Sequence, residues 1–189
     1  MSAVNKPTLE EYLELDRNSD ERLEYWDGEI FSMSGVSKEH ARIEINLSSR
    51  LDAWLGERDC QLFPANMRIK VPSFPPYRYA DLSALCGEAV FEQVSGVDVL
   101  VNPALLIEVI SPSTEAFDRG EKFTYYKSIP SFREYLLIAQ RRPHVTQFIK
   151  QAENDWSQHE FDQLSEVVRL ASVGVELQLG DIYRYLTWP

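Results

Sequence analysis

Cysteine, glycine and positive charge are all scarce in this 189-residue chain, and each shortage excludes something. The two cysteines, Cys60 and Cys86, lack metal-ligand spacing, which argues against a zinc ribbon or finger. Both stand beside apolar residues and read as small buried side chains, a disulfide being unexpected in a cytoplasmic chain. Only 8 glycines occur, with no G-x-G-x-x-G or Walker pattern, so a phosphate-cradling loop is absent. The longest apolar stretch, residues 104–110, is interrupted by Glu108 and falls far short of the roughly 20 residues a membrane helix needs. Residues 1–7 lack the basic-then-apolar order of a secretory signal, so the expected location is cytoplasmic. Lys and Arg number 19 against 30 Asp and Glu, a formal net charge of −11. Nucleic-acid binders usually present a basic face, so this balance weighs against one unless the charges are segregated or a metal bridges to phosphate.

What is present is an ordinary globular composition, 44% hydrophobic and 26% charged, of a size that buries one core. One domain over residues 1–189 is expected, with residues 1–7 a loose tail. Thr8 and Glu11 form an S/T-x-x-E capping box, which predicts a helix over residues 8–15. Asp27-Gly28 between residues 22–26 and 29–33 predicts a β-hairpin. Ser37 caps a predicted long helix to Leu55, with Ile43, Leu47, Leu51 and Trp54 on one face and Gly56 ending it. Strands are expected over residues 60–63, 67–71, 77–86 and 104–110, with residues 88–102 as a connection. Asp118 and Glu121 read as N-cap and N3 of a helix to Ser128, halted before Pro130. Strands follow over residues 134–139, 144–150, 156–161 and 167–170, and Asp181 caps a last short helix. The order predicts a mixed α/β (α+β) fold: a central mixed sheet from residues 60–139, flanked by the Ser37 and Asp118 helices, with an N-terminal hairpin.

Glu108 is the most informative residue. It interrupts a strand that reads as buried on both faces, where an isolated carboxylate costs several kcal/mol or so unless paired, protonated or metal-bound. A salt bridge with a neighbouring Arg or Lys is the structural alternative. Asp81 is expected mid-strand, sharing a face with Tyr79, Ser83 and Leu85. Two such acids on neighbouring strands make a hard-oxygen site of the kind Mg²⁺ takes. Lys122 shares a helix face with Tyr126 and can lean back over the end of the Glu108 strand. Taken alone, it reads more readily as a solvated surface lysine, and only its company with Asp81 and Glu108 lifts it.

These residues carry a resemblance. Ala80-Asp81, Ile107-Glu108-Val109-Ile110-Ser111-Pro112-Ser113-Thr114 and Asp118-Arg119-Gly120-Glu121-Lys122 resemble the Uma-type restriction endonuclease family of the PD-(D/E)xK nuclease superfamily. The likeness extends to residues 22–30, 37–40 and 133–137. It implies a restriction-endonuclease-like fold, Asp81 and Glu108 as metal ligands with the Val109 carbonyl, and Mg²⁺ as cofactor with Mn²⁺ able to substitute. The superfamily lysine two residues after the acid would fall at Ile110, and a lysine migrated onto the next helix matches Lys122. The eponymous proline is Ala80 here. The family pattern also brings Glu24 and His40 near the metal, although Glu24 could instead pair with Arg22 and an inward His40 could be a core residue.

The combined expectation is a Mg²⁺-dependent endonuclease acting on DNA, with Asp81, Glu108 and Lys122 catalytic and Glu24, His40 and Tyr126 as additional site residues. Two alternatives stay open: an interaction module that keeps the fold without catalysis, and a metal-dependent hydrolase of a small phosphate ester. Phe123, Tyr125, Tyr126 and Phe132 exceed what a small helix–strand corner needs, which points to a self-association face and a homodimer. His144 and His159 have no evident partners and read as structural or exposed.

Overall fold

The computed structural model describes residues 7–19, 23–26, 29–32, 35–73 and 76–188. The Asp27-Gly28 turn, Arg22, Met33 and most of the expected tail lie outside the described residues. Helix α1 (Leu9–Asn18) opens with the Thr8–Glu11 capping box in both directions and runs three residues beyond the expected end. Strands β1 (Leu23–Trp26) and β2 (Glu29–Ser32) pair antiparallel as the hairpin predicts. Helix α2 (Lys38–Leu55) starts at Ser37, whose hydroxyl accepts from the His40 amide, and ends at Gly56. Its buried ridge is Ile43, Leu47, Leu51 and Leu55; Trp54 lies beside it, half-buried, rather than in it.

The remaining elements are β3 (Cys60–Pro64), β4 (Arg68–Lys70), β5 (Tyr77–Tyr79), β6 (Leu82–Cys86), β7 (Phe91–Val94), β8 (Val97–Leu100) and β9 (Leu105–Ile110). After them come α3 (Glu115–Phe117), a π-turn (Asp118–Lys122), α4 (Phe123–Lys127), β10 (Glu134–Ala139), β11 (Val145–Ala152), β12 (Asp155–Phe161), β13 (Val167–Leu170), β14 (Val175–Gln178) and α5 (Leu179–Ile182). A six-stranded sheet has the order β12-β11-β10-β9-β6-β3. Only β9 and β10 run parallel in it, and the α3–α4 segment makes the crossover such a pair requires.

Strand alternation in β9 divides the interior. Leu105, Ile107 and Val109 pack with the apolar ridge of α2, whereas Leu106 and Ile110 pack with Phe123 and Tyr126 of α4. Two hydrophobic clusters therefore sandwich the sheet, as the expected mixed architecture requires. The aromatic surplus is spent here. Phe123 lies 5.0 Å from Tyr135 and 4.6 Å from Phe148, and Phe132 lies 5.1 Å from Trp156, between ring centroids. Phe123, Tyr126 and Phe132 are buried, and Arg78 stacks on the half-buried Tyr125, so the self-association argument built on these rings loses its basis.

Several expectations are corrected. Residues 77–86 are not one strand: β5 belongs to a second sheet, β5-β4-β8-β7, and the chain passes into the main sheet through Ala80 and Asp81. Period-2 alternation continues across the break, so the sequence pattern does not register it. The connection at 88–102 folds into the β7–β8 hairpin, turned by Ser95 and Gly96, both at positive φ (51° and 79°). Asp118 is not an N-cap, because the helix begins at Glu115 and Asp118 is buried within it. Asp181 lies inside α5, whose N-cap position is Gln178. Cys60 and Cys86 face each other across β3 and β6 and form a disulfide, overturning the expectation of two unbonded thiols. Cys86 is exposed rather than buried. No helix among the described residues is long and apolar enough to cross a membrane.

Candidate active site

Four elements deliver polar side chains to the C-terminal end of β9. Glu108 sits on the α4 face of that strand, only 4% exposed. Its Oε1 lies 2.9 Å from Lys122 Nζ and accepts a 2.9 Å hydrogen bond from the Tyr126 hydroxyl. Asp118, Lys122 and Tyr126 follow one another at four-residue intervals, so one ridge of the helical segment turns all three inward. The segment widens into a π-turn at Asp118–Lys122, a departure that often marks functional sites. Lys122 is 2% exposed and has two further carboxylates 3.8 Å away, Glu24 and Asp118. Glu24 also accepts from the Tyr79 amide at 3.0 Å, which fixes it between the hairpin and β5.

Asp81 occupies the bend where the chain changes sheets. That bend lets the Val109 amide donate to its Oδ2 at 2.7 Å, while Oδ1 lies 3.3 Å from His40 Nε2. A continuous strand would have committed that backbone to the ladder. His40, on the first turn of α2, also stands 4.0 Å from Glu44. Asp81, Glu108, Val109, Lys122, Asp118 and His40 line one pocket of about 320 Å³. Ser111, Ser113 and Thr114 border it too, with Ser111 Oγ 2.8 Å from Ser113 Oγ and 3.2 Å from Thr114 Oγ1. Across the pocket the Ser37 hydroxyl donates to Gln140 Oε1 at 2.6 Å.

The electrostatics follow from this crowding. Burial pushes the Glu108 carboxyl well above the usual range; Lys122 opposes the shift, and Asp118 and Asp81 add to it. Burial also lifts Asp118, against the pull of Lys122 and a hydrogen bond from Thr114. In Asp81 burial acts upward as well, but His40, the Val109 amide and Lys122 outweigh it and hold that carboxyl low. Burial alone would lower the Lys122 ammonium, yet Glu108, Glu24 and Asp118 drive it well above its ordinary value. The Tyr126 phenol is raised by burial and by Glu108.

The structure thus places all the sequence-selected site residues (Asp81, Glu108, Val109, Lys122, Glu24, His40 and Tyr126) in one connected network. Glu24 pairs with the Tyr79 amide and Lys122; Arg22 is outside the described residues. Among the described residues no three His, Cys, Asp or Glu side chains are grouped as a metal cage, and Glu108 is turned onto Lys122 and Tyr126. Asp118 is the site residue that sequence reasoning misassigned, and the signal was its four-residue offset from Lys122. His144, expected to lack partners, holds Asp162 at 2.7 Å and Glu160 at 3.0 Å, whereas His159 is exposed and lies 3.2 Å from Ser157.

Residues 9–180 match the sequence profile of Uma2, described as "Putative restriction endonuclease". This chain belongs to the Uma2 family. Two proteins of Synechocystis sp. (strain ATCC 27184 / PCC 6803 / Kazusa) are similar along most of their length. "Uncharacterized protein slr1290" is 32% identical over 97% of this chain and 94% of its own. "Uncharacterized protein sll1609" is 35% identical over 79% and 84%, respectively. The Uma2 fold seen here also resembles the crystal structure of "a putative nuclease belonging to DUF820" from Anabaena variabilis, with a TM-score of 0.74. That likeness covers 94% of this chain and 97% of the other at 19% identity, and it shows the fold.

Proposed function

We propose that this Uma2 protein is a Mg²⁺-dependent endonuclease hydrolysing phosphodiester bonds in DNA, with Mn²⁺ able to substitute. Family membership supports the nuclease class, and one observation carries the chemistry. Four carboxyl groups (Glu24, Asp81, Glu108 and Asp118) surround a single buried lysine and one histidine, so acids outnumber cations, and Glu108 and Asp118 are pushed toward their neutral forms by burial and by that excess. A divalent cation neutralises such an excess, and an all-oxygen donor set of two carboxylates suits hard Mg²⁺, which keeps several waters. Asp81, Glu108 and the Val109 carbonyl would hold it. When bound, the metal would supply Lewis-acid polarisation of the phosphate and activation of water.

The protein's own groups then have separable tasks. Lys122 brings its ammonium to the pocket wall, 2.9 Å from Glu108 and 3.8 Å from both Glu24 and Asp118. It stabilises negative charge on the phosphoryl group instead of accepting a proton from water. Tyr126 orients Glu108 through its hydroxyl, and His40 with the Val109 amide orients Asp81. Glu24 and Asp118 hold Lys122 in place.

Glu108→Gln should abolish divalent-metal-dependent nicking of plasmid DNA while leaving circular dichroism unchanged. Wild-type protein that leaves DNA uncut across Mg²⁺, Mn²⁺ and a range of salt would sink the enzymatic reading. Calorimetric titration then decides what remains, since an interaction module with a decayed site binds neither metal.

A further inference from the structure

In the main sheet β9 lies between β6 and β10, and the two neighbours bring opposite chemistry to its C-terminal end. On one side Asp81 leads into β6, whose Leu82 pairs with Ile107. On the other, Gln140 follows β10, whose Ala139 pairs with Ile110. The strands that carry them are two strand spacings apart, about 10 Å, and both residues line the same pocket. One turn of α2 spans that gap: His40 lies 3.3 Å from Asp81, and Ser37 reaches Gln140 at 2.6 Å. The first contact steadies a carboxylate, the second a neutral amide.

Gln140 is tied down at three atoms and only 8% exposed. Its main-chain amide donates to the Ile110 carbonyl at 3.4 Å, and its carbonyl accepts from the Trp188 indole at 3.2 Å. Ser37 Oγ accepts from the His40 amide at 3.1 Å and gives its own proton to Gln140 Oε1. The oxygen of the side-chain amide is thereby turned to α2. Among the described residues nothing accepts from Nε2, and that atom is not enclosed. Its two N–H donors therefore open on the pocket that Gln140 lines.

We propose that Gln140 is a substrate-binding residue whose amide donates to a non-bridging oxygen of the phosphodiester entering the pocket, with Ser37 setting which end of the amide faces that oxygen. The inference rests on reading the pocket as a phosphodiester-cleaving site and adds how a pocket so rich in acids receives an anion. Lys122, its buried cation, already faces three carboxyl groups. A neutral N–H attracts a phosphate oxygen without needing an acid to balance it, and the charge on that oxygen strengthens the bond. Orientation decides the sign of the contact. A reversed amide would set its carbonyl oxygen against the phosphate, lone pair to lone pair. Ser111, Ser113 and Thr114 continue the same uncharged wall.

The test is fluorescence anisotropy of a labelled DNA duplex on the full-length protein with Ca²⁺ in place of Mg²⁺, which reads binding apart from cleavage. Gln140→Met keeps the side chain's length and removes both donors. Gln140→Glu keeps the oxygen that Ser37 holds and exchanges the donors for a second oxygen. Both variants should bind about tenfold more weakly or worse, the worth of one hydrogen bond to a charged group. For Gln140→Met, the thermal midpoint and the Mg²⁺ affinity by calorimetry should stay at the wild-type values. A purely structural tie to Ser37 predicts loss in Gln140→Met and none in Gln140→Glu; simple charge repulsion predicts the reverse. Either of those patterns, a fall in Mg²⁺ affinity of Gln140→Met, or no duplex binding by wild type would overturn the contact. Cleavage by wild type with binding that ignores Gln140 removes this inference and leaves the nuclease reading standing; loss of binding in both variants without cleavage by wild type does the opposite.

Discussion

Lys122 occupies a place where its removal should be felt twice, once in chemistry and once in stability. Its ammonium is the nearest positive charge to buried Glu108, and losing one member of a buried pair typically costs about 3–5 kcal/mol. Lys122→Met should therefore lower the urea-unfolding free energy by about that amount. Adding Glu108→Gln should return part of it, because no buried charge then lacks its counterpart; strictly additive losses in the double variant would refute this coupling. A second residue contributes, with other buried tyrosines, to the loss of stability at alkaline pH. Burial pushes the Tyr79 phenol up to about 12, with Arg68 opposing and Asp16 reinforcing the shift. A folded-state value above the unfolded one, about 10, gives stability that is complete below the unfolded value and lost as pH rises through the folded one. Denaturation midpoints measured across that window should fall, and fall less steeply in Tyr79→Phe. At this scale Glu108 was legible because a lone acid in an apolar strand has few explanations. Asp118 was not, since an acid three residues before a Glu fits a capping box as readily as a buried ridge.

At the scale of elements, legibility followed the strength of the local signal. The capping box of α1, the Ser37 cap of α2 and the continuous apolar run of β9 each announce themselves through short-range chemistry. The β7–β8 hairpin did not, because Phe91–Val94 is largely exposed and lacks a hydrophobic alternation to read. Nor did the split between β5 and β6, which depends on which sheet each half joins. The disulfide was hidden for a similar reason: 26 residues separate Cys60 from Cys86, and only the β3–β6 register brings them opposite. Closing a loop of that length contributes about 3 kcal/mol by restricting the unfolded chain. Cys60→Ser with Cys86→Ser, or reduction of wild type, should lower the unfolding free energy by about that amount. Equal stability with and without reductant would show that the bond contributes nothing.

For the whole molecule, composition misleads because it counts charges without placing them. Among the described residues three of the cations, Arg68, Arg78 and Lys122, are buried, and so are four of the acids, Glu24, Glu108, Asp118 and Glu134, so burial barely changes the acidic balance of the surface. A −11 total is compatible with a polyanionic substrate where a metal ion bridges acid side chains to phosphate. The fold class was legible because hydrophobic periodicity survives averaging over the chain, whereas charge segregation is a three-dimensional property.

The second sheet has one further consequence. Its order puts β7 at an edge, and neither Ser95 nor Gly96, where its hairpin turns, lines the Asp81–Glu108 pocket. Foreign sequence spliced between those two residues would meet no core packing and no site residue. The hairpin is thus a natural attachment point at which a second domain, such as a programmable DNA-targeting module, could be carried without altering the chemistry of the pocket.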